Sequence, residues 1–73
     1  MKDIQTLGKY VGIAETIELT RNDASDVYTV TQIIDGPGKI ITIFKGLNSN
    51  LANLTFLFEV TRICKNIYEE SHL

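Results

Sequence analysis

The sequence has few of the residues that most often carry protein chemistry. It contains one cysteine, one histidine, one proline and no tryptophan. A single cysteine excludes an internal disulfide framework, and one cysteine with one histidine supplies at most half of the ligands of a zinc site. Secreted domains of this size usually depend on disulfides or a metal. We therefore predict no metal, no cofactor and a reducing, cytoplasmic location.

Long apolar runs and clusters of basic residues are also absent. The densest apolar stretches, 40–44 and 54–58, are five residues long, whereas a membrane span needs ~18. The N-terminus lacks the apolar core that a signal peptide requires. The net charge is −2, without the grouped lysines and arginines that bind a phosphate backbone. We expect no membrane contact, and the charge disfavours nucleic acid as a partner.

The residues that are present suit one small domain. The chain has 73 residues, of which 44% are hydrophobic. By the area scaling of folded proteins, a chain of this mass buries only about 60% of its unfolded surface. That is enough for one modest core. We therefore predict a single domain over residues 1–73, without a second domain or a deep cavity between domains.

Three stretches have the character of β-strands. Apolar and polar residues alternate over 10–20, and β-branched residues dominate 27–34 and 39–45, which predicts three strands. The polar run 21–26 and the Asp35-Gly36-Pro37-Gly38 segment have the composition of tight reversals. The three strands should therefore form an antiparallel meander. Before them, Ile4 and Leu7 have the spacing of one short helical turn over residues 3–7.

Apolar residues at helical spacing follow the third strand. They predict a helix over about 50–70, with Ser49 or Asn50 as its N-cap. Its core stripe consists of Phe56, Leu57, Val60, Ile63, Cys64 and Ile67. The predicted fold class is α+β: a three-stranded antiparallel meander followed by one C-terminal helix packed on one sheet face, in the order βββα.

The second and third predicted strands are apolar on both faces, which one covering helix does not explain. On the second strand, Val30 and Ile34 alternate with Ile33. The third strand is in addition an edge of the meander, with unpaired amides. Uncovered apolar surface is typical of interaction sites. We therefore predict self-association, or docking on a partner, through these strands. The predicted interface residues are Tyr28, Val30, Ile34, Ile40, Phe44 and Phe58. The alternative is that residues 1–9 fold back and cover the second face.

Few residues suggest catalysis. Glu15 interrupts an apolar row, and we interpret it as a charge near the sheet edge that discourages edge pairing rather than as a site acid. Cys64 lies on the core stripe, which favours a small buried hydrophobe over a reactive thiol. His72 stands near the C-terminus without a second ligand or a nucleophile beside it. We therefore predict that the chain is not an enzyme.

The sheet also supports an alternative function, nucleic-acid binding. Tyr28 and Phe44 are predicted to share a face, with Lys39 and Lys45 near the ends of the third strand, as in a stacking platform for single strands. The βββα order resembles AP2-like and integrase N-terminal DNA-binding domains, which implies a sheet in the major groove. Their binding sheets are rich in arginine and lysine, whereas the first two strands here have only Arg21. Double-stranded-RNA-binding domains are similar in order but add an N-terminal helix. These are likenesses of fold order, and fold does not fix function.

The favoured interpretation is a small non-catalytic intracellular module for protein interaction. It would act as an adaptor, regulator or inhibitor of another macromolecule, and it would form a homodimer. The two-sided strands, the acidic loop after the first strand and the lack of a catalytic set support this interpretation. Chains of this size and composition are common among bacterial and phage accessory proteins.

Overall fold

The structure, a computed structural model, describes the backbone of residues 3–71 and the side chains of residues 3–65. Four antiparallel strands form one sheet in the order β1-β2-β3-β4, and one helix follows them. The elements are β1 (Ile4–Val11), β2 (Glu15–Asn22), β3 (Val27–Ile34), β4 (Lys39–Gly46) and α1 (Ser49–Ser71). The α+β class with a helix at the C-terminal end is confirmed, but the predicted number of three strands is wrong by one.

The additional strand arises where the sequence predicted a single strand over 10–20. A two-residue turn at Ile13 and Ala14 divides that segment, and the Gly12 amide beside it donates to the Glu15 carbonyl (2.7 Å). Neither turn residue is one of the usual turn formers, Gly, Asn, Asp or Pro. The reversal therefore has little local signal, and the alternation pattern continues across it.

The N-terminal segment widens the sheet. Residues 4–11, where the sequence predicted a helical turn over 3–7, instead form β1, with Ile4 opposite Asn22 and Val11 opposite Thr16 on β2. The helical turn is therefore wrong. For residues 3–9, which the structure describes, the alternative in which the N-terminus folds back over the second face is wrong as well. That face stays open.

The two predicted reversals are present. In the β2–β3 hairpin, the Asn22 side-chain oxygen accepts hydrogen bonds from the amides of Ala24 (2.9 Å) and Ser25 (3.3 Å). Asp26 closes this loop with a φ of 57°, which asparagine and aspartate tolerate better than most residues. In the β3–β4 turn, Gly38 has a φ of 68°, a conformation that glycine adopts without strain. These local requirements explain why composition alone located both turns.

Helix α1 begins one residue earlier than predicted and crosses the sheet. Its N-cap is Asn48, whose side-chain oxygen accepts from the Leu51 amide (3.1 Å), rather than Ser49 or Asn50. Farther along, the Phe56 ring packs on Gly8 of β1, where an added Cβ would lie 3.1 Å from the ring. The helix therefore covers one face of the whole sheet, from β4 to β1. Within residues 3–71, α1 lacks the apolar length that crossing a bilayer requires.

The core between α1 and the sheet is small. Its buried apolar residues are Ile17, Leu19, Val30, Ala52 and Ile63. The accessible surface is 5172 Å², against about 4,500 Å² expected for a compact chain of this mass. The radius of gyration is 13.3 Å, against about 11 Å for a compact chain of this length. The fold therefore leaves on the order of 600 Å² more surface open than a typical monomer of its size.

Candidate interaction surface

Half of the predicted interface residues lie under the helix. The register pairs Leu19 with Val30 and Val30 with Phe44, so these positions share the face that α1 covers. Val30 is completely buried, and Tyr28 and Phe44 pack against the core beside it. Val30 therefore lies in the interior of the chain, and Tyr28 and Phe44 are half-buried on the helix side beside it.

A β-bulge in β4 explains where Phe44 lies. Val30 pairs with Phe44 but the next residue, Thr31, pairs with Thr42, so Ile43 is an extra residue on β4. A bulge shifts the alternation of the strand by one position. Phe44 is therefore on the helix side, whereas strict alternation placed it with Ile40. Sequence alternation contains no signal for this shift.

The other predicted interface residues do not form one surface. Ile34 is half-buried on the helix side, at the end of β3. Ile40 is 66% exposed on the open face of the sheet, and Phe58 is 69% exposed on the outer side of α1. The sheet and the helix separate these last two side chains. They mark two different surfaces of the molecule.

The predicted stacking platform is likewise divided. Tyr28 and Phe44 do share a face, as the alternative function requires, but it is the face that α1 covers. Lys45 is on the opposite face, because it pairs with Thr29. The strands within the described residues present no aromatic side chain on the open face. Nucleic-acid binding through the sheet stays a prediction, without the rings on which it depended.

Both edges of the sheet have features that oppose pairing with another strand. The register shifts in β1 between Thr6 and Gly8, and Lys9 follows on the same strand. The bulged strand β4 carries Lys39 and Lys45 near its two ends. Bulges and lysines on edge strands discourage edge-to-edge association. Pairing with a strand of another molecule is therefore disfavoured at both edges, which leaves the faces of the molecule as candidate interaction surfaces.

The open face of the sheet is mainly polar. Its middle rows consist largely of threonines, with Lys9 opposite Glu18. The threonines of this face are Thr6, Thr16, Thr20, Thr29, Thr31 and Thr42. A shallow depression of about 310 Å³ lies at its hairpin end, with Thr20, Thr29 and Lys45 among its lining residues. Antiparallel sheets commonly leave a polar face in water. At the other end of this face, Val11 and Ile40 are 67% and 66% exposed.

The outer side of α1 is apolar instead. Four large apolar side chains of α1, and Leu47 just before its N-cap, are at least half exposed. We call them the outer stripe; they are Leu47, Leu51, Leu54, Leu57 and Phe58. A surface helix normally has one apolar stripe, toward the core, and a polar opposite face. Helix α1 has apolar side chains on both, and only one of these sides packs against the sheet.

Hydrogen bonding makes the outer stripe still less polar. The hydroxyl of Thr55 donates to the Leu51 carbonyl (2.7 Å), and the hydroxyl of Thr61 donates to the Leu57 carbonyl (2.7 Å). These hydroxyls are therefore satisfied within the helix itself. At the rim, Arg62 donates to the Glu59 carboxylate (2.9 Å). These two hydroxyls therefore need no hydrogen-bond partner from another molecule.

The sequence contained a signal for the outer stripe. Leu47, Leu51, Leu54 and Phe58 follow one another at intervals of four, three and four residues, the spacing of an apolar seam between helices. The core prediction instead included Leu57, which is exposed, and treated Leu54 and Phe58 as the flank of the core stripe. A search for a second apolar series along the helix would have separated the two sides.

Cys64 is exposed, so its interpretation as a buried hydrophobe is wrong. Its Sγ and the Tyr10 hydroxyl form a hydrogen bond (3.3 Å), and the Cys64 neighbour raises the pKa of Tyr10 above the ordinary 10.0. The phenol therefore stays protonated at neutral pH and is not a base for the thiol. A reactive cysteine needs a neighbouring cation or base, which Tyr10 does not provide.

Glu15 has a partner on its own sheet. The Gln32 side-chain amide donates to the Glu15 carboxylate on the helix side of the sheet. Because β2 is an interior strand, Glu15 does not protect a sheet edge, contrary to its interpretation from the sequence. His72 and the side chain of Ile67 lie outside the described residues. Within the part that is described, no three His, Cys, Asp or Glu side chains gather as metal ligands.

Comparison with known proteins does not assign a family. Searches against protein-family models, curated proteins and solved structures found no match to this chain. The function of the chain is therefore inferred from its surfaces, of which the outer stripe is the most unusual.

Proposed function

We propose that this chain is a small, non-catalytic protein-interaction module of the cell interior that works as a homodimer. As such it would serve as an adaptor, regulator or inhibitor of another macromolecule. The observation that carries the proposal is the outer stripe, which remains exposed after α1 has covered the sheet. Contiguous exposed apolar surface of this kind marks interaction sites in folded proteins.

The size of the outer stripe fits a modest interface. Its five side chains are each 50% to 70% exposed, whereas a standard interface draws about 20 to 30 residues from each partner. A contact centred on so few side chains belongs to the lower end of stable complexes. We therefore expect a dissociation constant on the order of micromolar rather than nanomolar.

Two further observations support the proposal. Two described side chains could in principle take part in catalysis, Cys64 and Glu15. Cys64 is hydrogen-bonded to Tyr10 and Glu15 to Gln32, and neither partner activates a nucleophile or an acid. An exposed free thiol such as that of Cys64 also suits a reducing compartment, because exposed thiols oxidise outside it. A binding role in the cell interior accounts for both.

Light scattering coupled to size-exclusion chromatography tests the proposal. We expect a mass twice the 8.2 kDa of the chain at high loading concentration, falling toward one chain on dilution because the interface is small. The measurement is made in parallel with Cys64→Ser, since an exposed thiol can link two chains without any interface. A mass of one chain at millimolar concentration would contradict the proposal.

A further inference from the structure

We propose that two copies of α1 pack antiparallel through the outer stripe, with the two-fold axis near Leu54. This inference rests on the proposed function, since it requires a homodimer. It goes further by assigning the contact to the helix rather than to the sheet. It also leaves the threonine-rich face of the sheet free on both sides of the dimer.

The spacing of the stripe is that of a helix–helix seam. Leu51, Leu54, Phe58 and Thr61 recur at intervals of three, four and three residues, which keeps them on one side of two helices in contact. The Thr61 hydroxyl is bonded to its own helix, so its methyl group faces outward as a small apolar surface. The seam covers less than the three or four heptads of an independent coiled coil. It therefore suits a short contact between helices that their own sheets already hold in place.

A second copy fits this surface better than a charged partner. The charge of the rim residue Arg62 is already neutralised by Glu59 of the same chain (2.9 Å). The stripe residues between this ion pair and the N-terminal end of α1 are uncharged. Lys65 lies beside Phe58 and Arg62, beyond the C-terminal end of the stripe, so the stripe itself presents no charge that an acidic or basic partner would recognise. A two-fold contact requires only that the patch be complementary to itself. The helix residues of the stripe, Leu51, Leu54, Leu57 and Phe58, are 50% to 69% exposed and would form the apolar centre that a homodimer interface has.

The antiparallel orientation follows from charge. In a parallel pair, the two helix N-termini, each with a partial positive charge, would be adjacent. An antiparallel pair separates them. With the axis near Leu54, Leu51 of one copy lies opposite Phe58 of the other, so a large ring packs against a smaller side chain. The apolar part of the seam is then centred on the axis.

Disulfide formation between introduced cysteines tests this geometry. In a Cys64→Ser background, Leu54→Cys places one thiol near the axis, where two copies lie within the ~4.4 to 6.8 Å Cα separation that a disulfide needs. We expect this variant to form a disulfide dimer rapidly under mild oxidation. Ile40→Cys is the matched control, because Ile40 is similarly exposed but on the open sheet face. It should remain largely unlinked.

Two more variants define the orientation. In the antiparallel pair, the two copies of residue 58 lie about 10 Å apart along the helices, as do those of residue 51, which is too far for a disulfide. Leu51→Cys and Phe58→Cys should therefore link poorly alone, and at least ten times faster when the two variants are mixed.

The outcomes separate this inference from the proposed function. If light scattering shows a dimer but Ile40→Cys links and Leu54→Cys does not, the helix contact is overturned while the homodimer stands. If Leu51→Cys and Phe58→Cys each link alone as fast as Leu54→Cys, the helices are parallel and the antiparallel arrangement is overturned. If all variants are monomeric by light scattering and none links, both the inference and the proposed function fail.

Discussion

Replacing Ile17 with alanine is expected to lower the free energy of unfolding by about 3 kcal/mol. Ile17 is completely buried where α1 crosses β2, and it is one of five buried apolar core residues among the side chains that the structure describes. Truncation removes its apolar contacts and leaves a cavity that a core of this size closes only in part. A chain of 73 residues has a total stability of about 4 to 11 kcal/mol. The variant should therefore be close to unfolding.

Ile40→Ala is the control, because it removes the same atoms from an exposed side chain. Its effect should be within about 0.5 kcal/mol. Urea denaturation of both variants is compared at one fixed protein concentration, because dimerisation adds a concentration-dependent term to stability. Equal losses for the two variants would contradict the assignment of Ile17 to the core and Ile40 to the surface.

Replacing Phe58 with glutamate is expected to raise the dissociation constant of the dimer at least about 30-fold. Phe58 is 69% exposed in the single chain, so the substitution should leave the monomer folded. In the dimer, the same position would bury a carboxylate without a partner, which costs several kcal/mol unless the group is protonated or reaches water. The variant therefore separates association from folding, which Ile17→Ala does not.

Ile13→Glu is the matched control for this effect. Ile13 is 83% exposed in the β1–β2 turn, away from the outer stripe, and its replacement changes the net charge of the chain by the same amount. Sedimentation equilibrium should give an unchanged dissociation constant for this variant. If both variants weaken the dimer equally, repulsion between more acidic chains is the cause, and the role of Phe58 is contradicted.

The parts of the fold that local chemistry determines were predictable. Strand β3 matches its predicted bounds, and β4 differs from its prediction by one residue at its end, because β-branched runs and glycine-rich turns are local signals. Strand β1 was not predictable in this way. The turn before β2 is made by Ile13 and Ala14, whose side chains have no turn preference, so it forms only because β1 finds pairing partners along β2.

The site was less predictable than the fold, because it depends on which face each residue occupies. The sequence correctly indicated more apolar surface than one helix covers, but it assigned the excess to the strands. The bulge at Ile43 moved Phe44 under the helix, and the register placed Val30 in the core. Much of the surplus is on α1, where Leu51 and Leu54 face away from the sheet, while Ile40 of β4 stays exposed on the open sheet face as predicted. Alternation within one strand does not contain this information, since it arises from pairing between strands.

The fluorescence of a single introduced tryptophan tests most directly whether a second copy covers the outer stripe, because indole emission reports burial of the side chain. The chain has no tryptophan, so Phe58→Trp adds one reporter within the stripe and keeps an aromatic side chain there. We predict emission at short wavelength, typical of a buried indole, at high protein concentration, and a shift to longer wavelength on dilution as the dimer dissociates. Ile13→Trp should emit as an exposed indole throughout. Emission of an exposed indole from Phe58→Trp at every concentration would contradict the account.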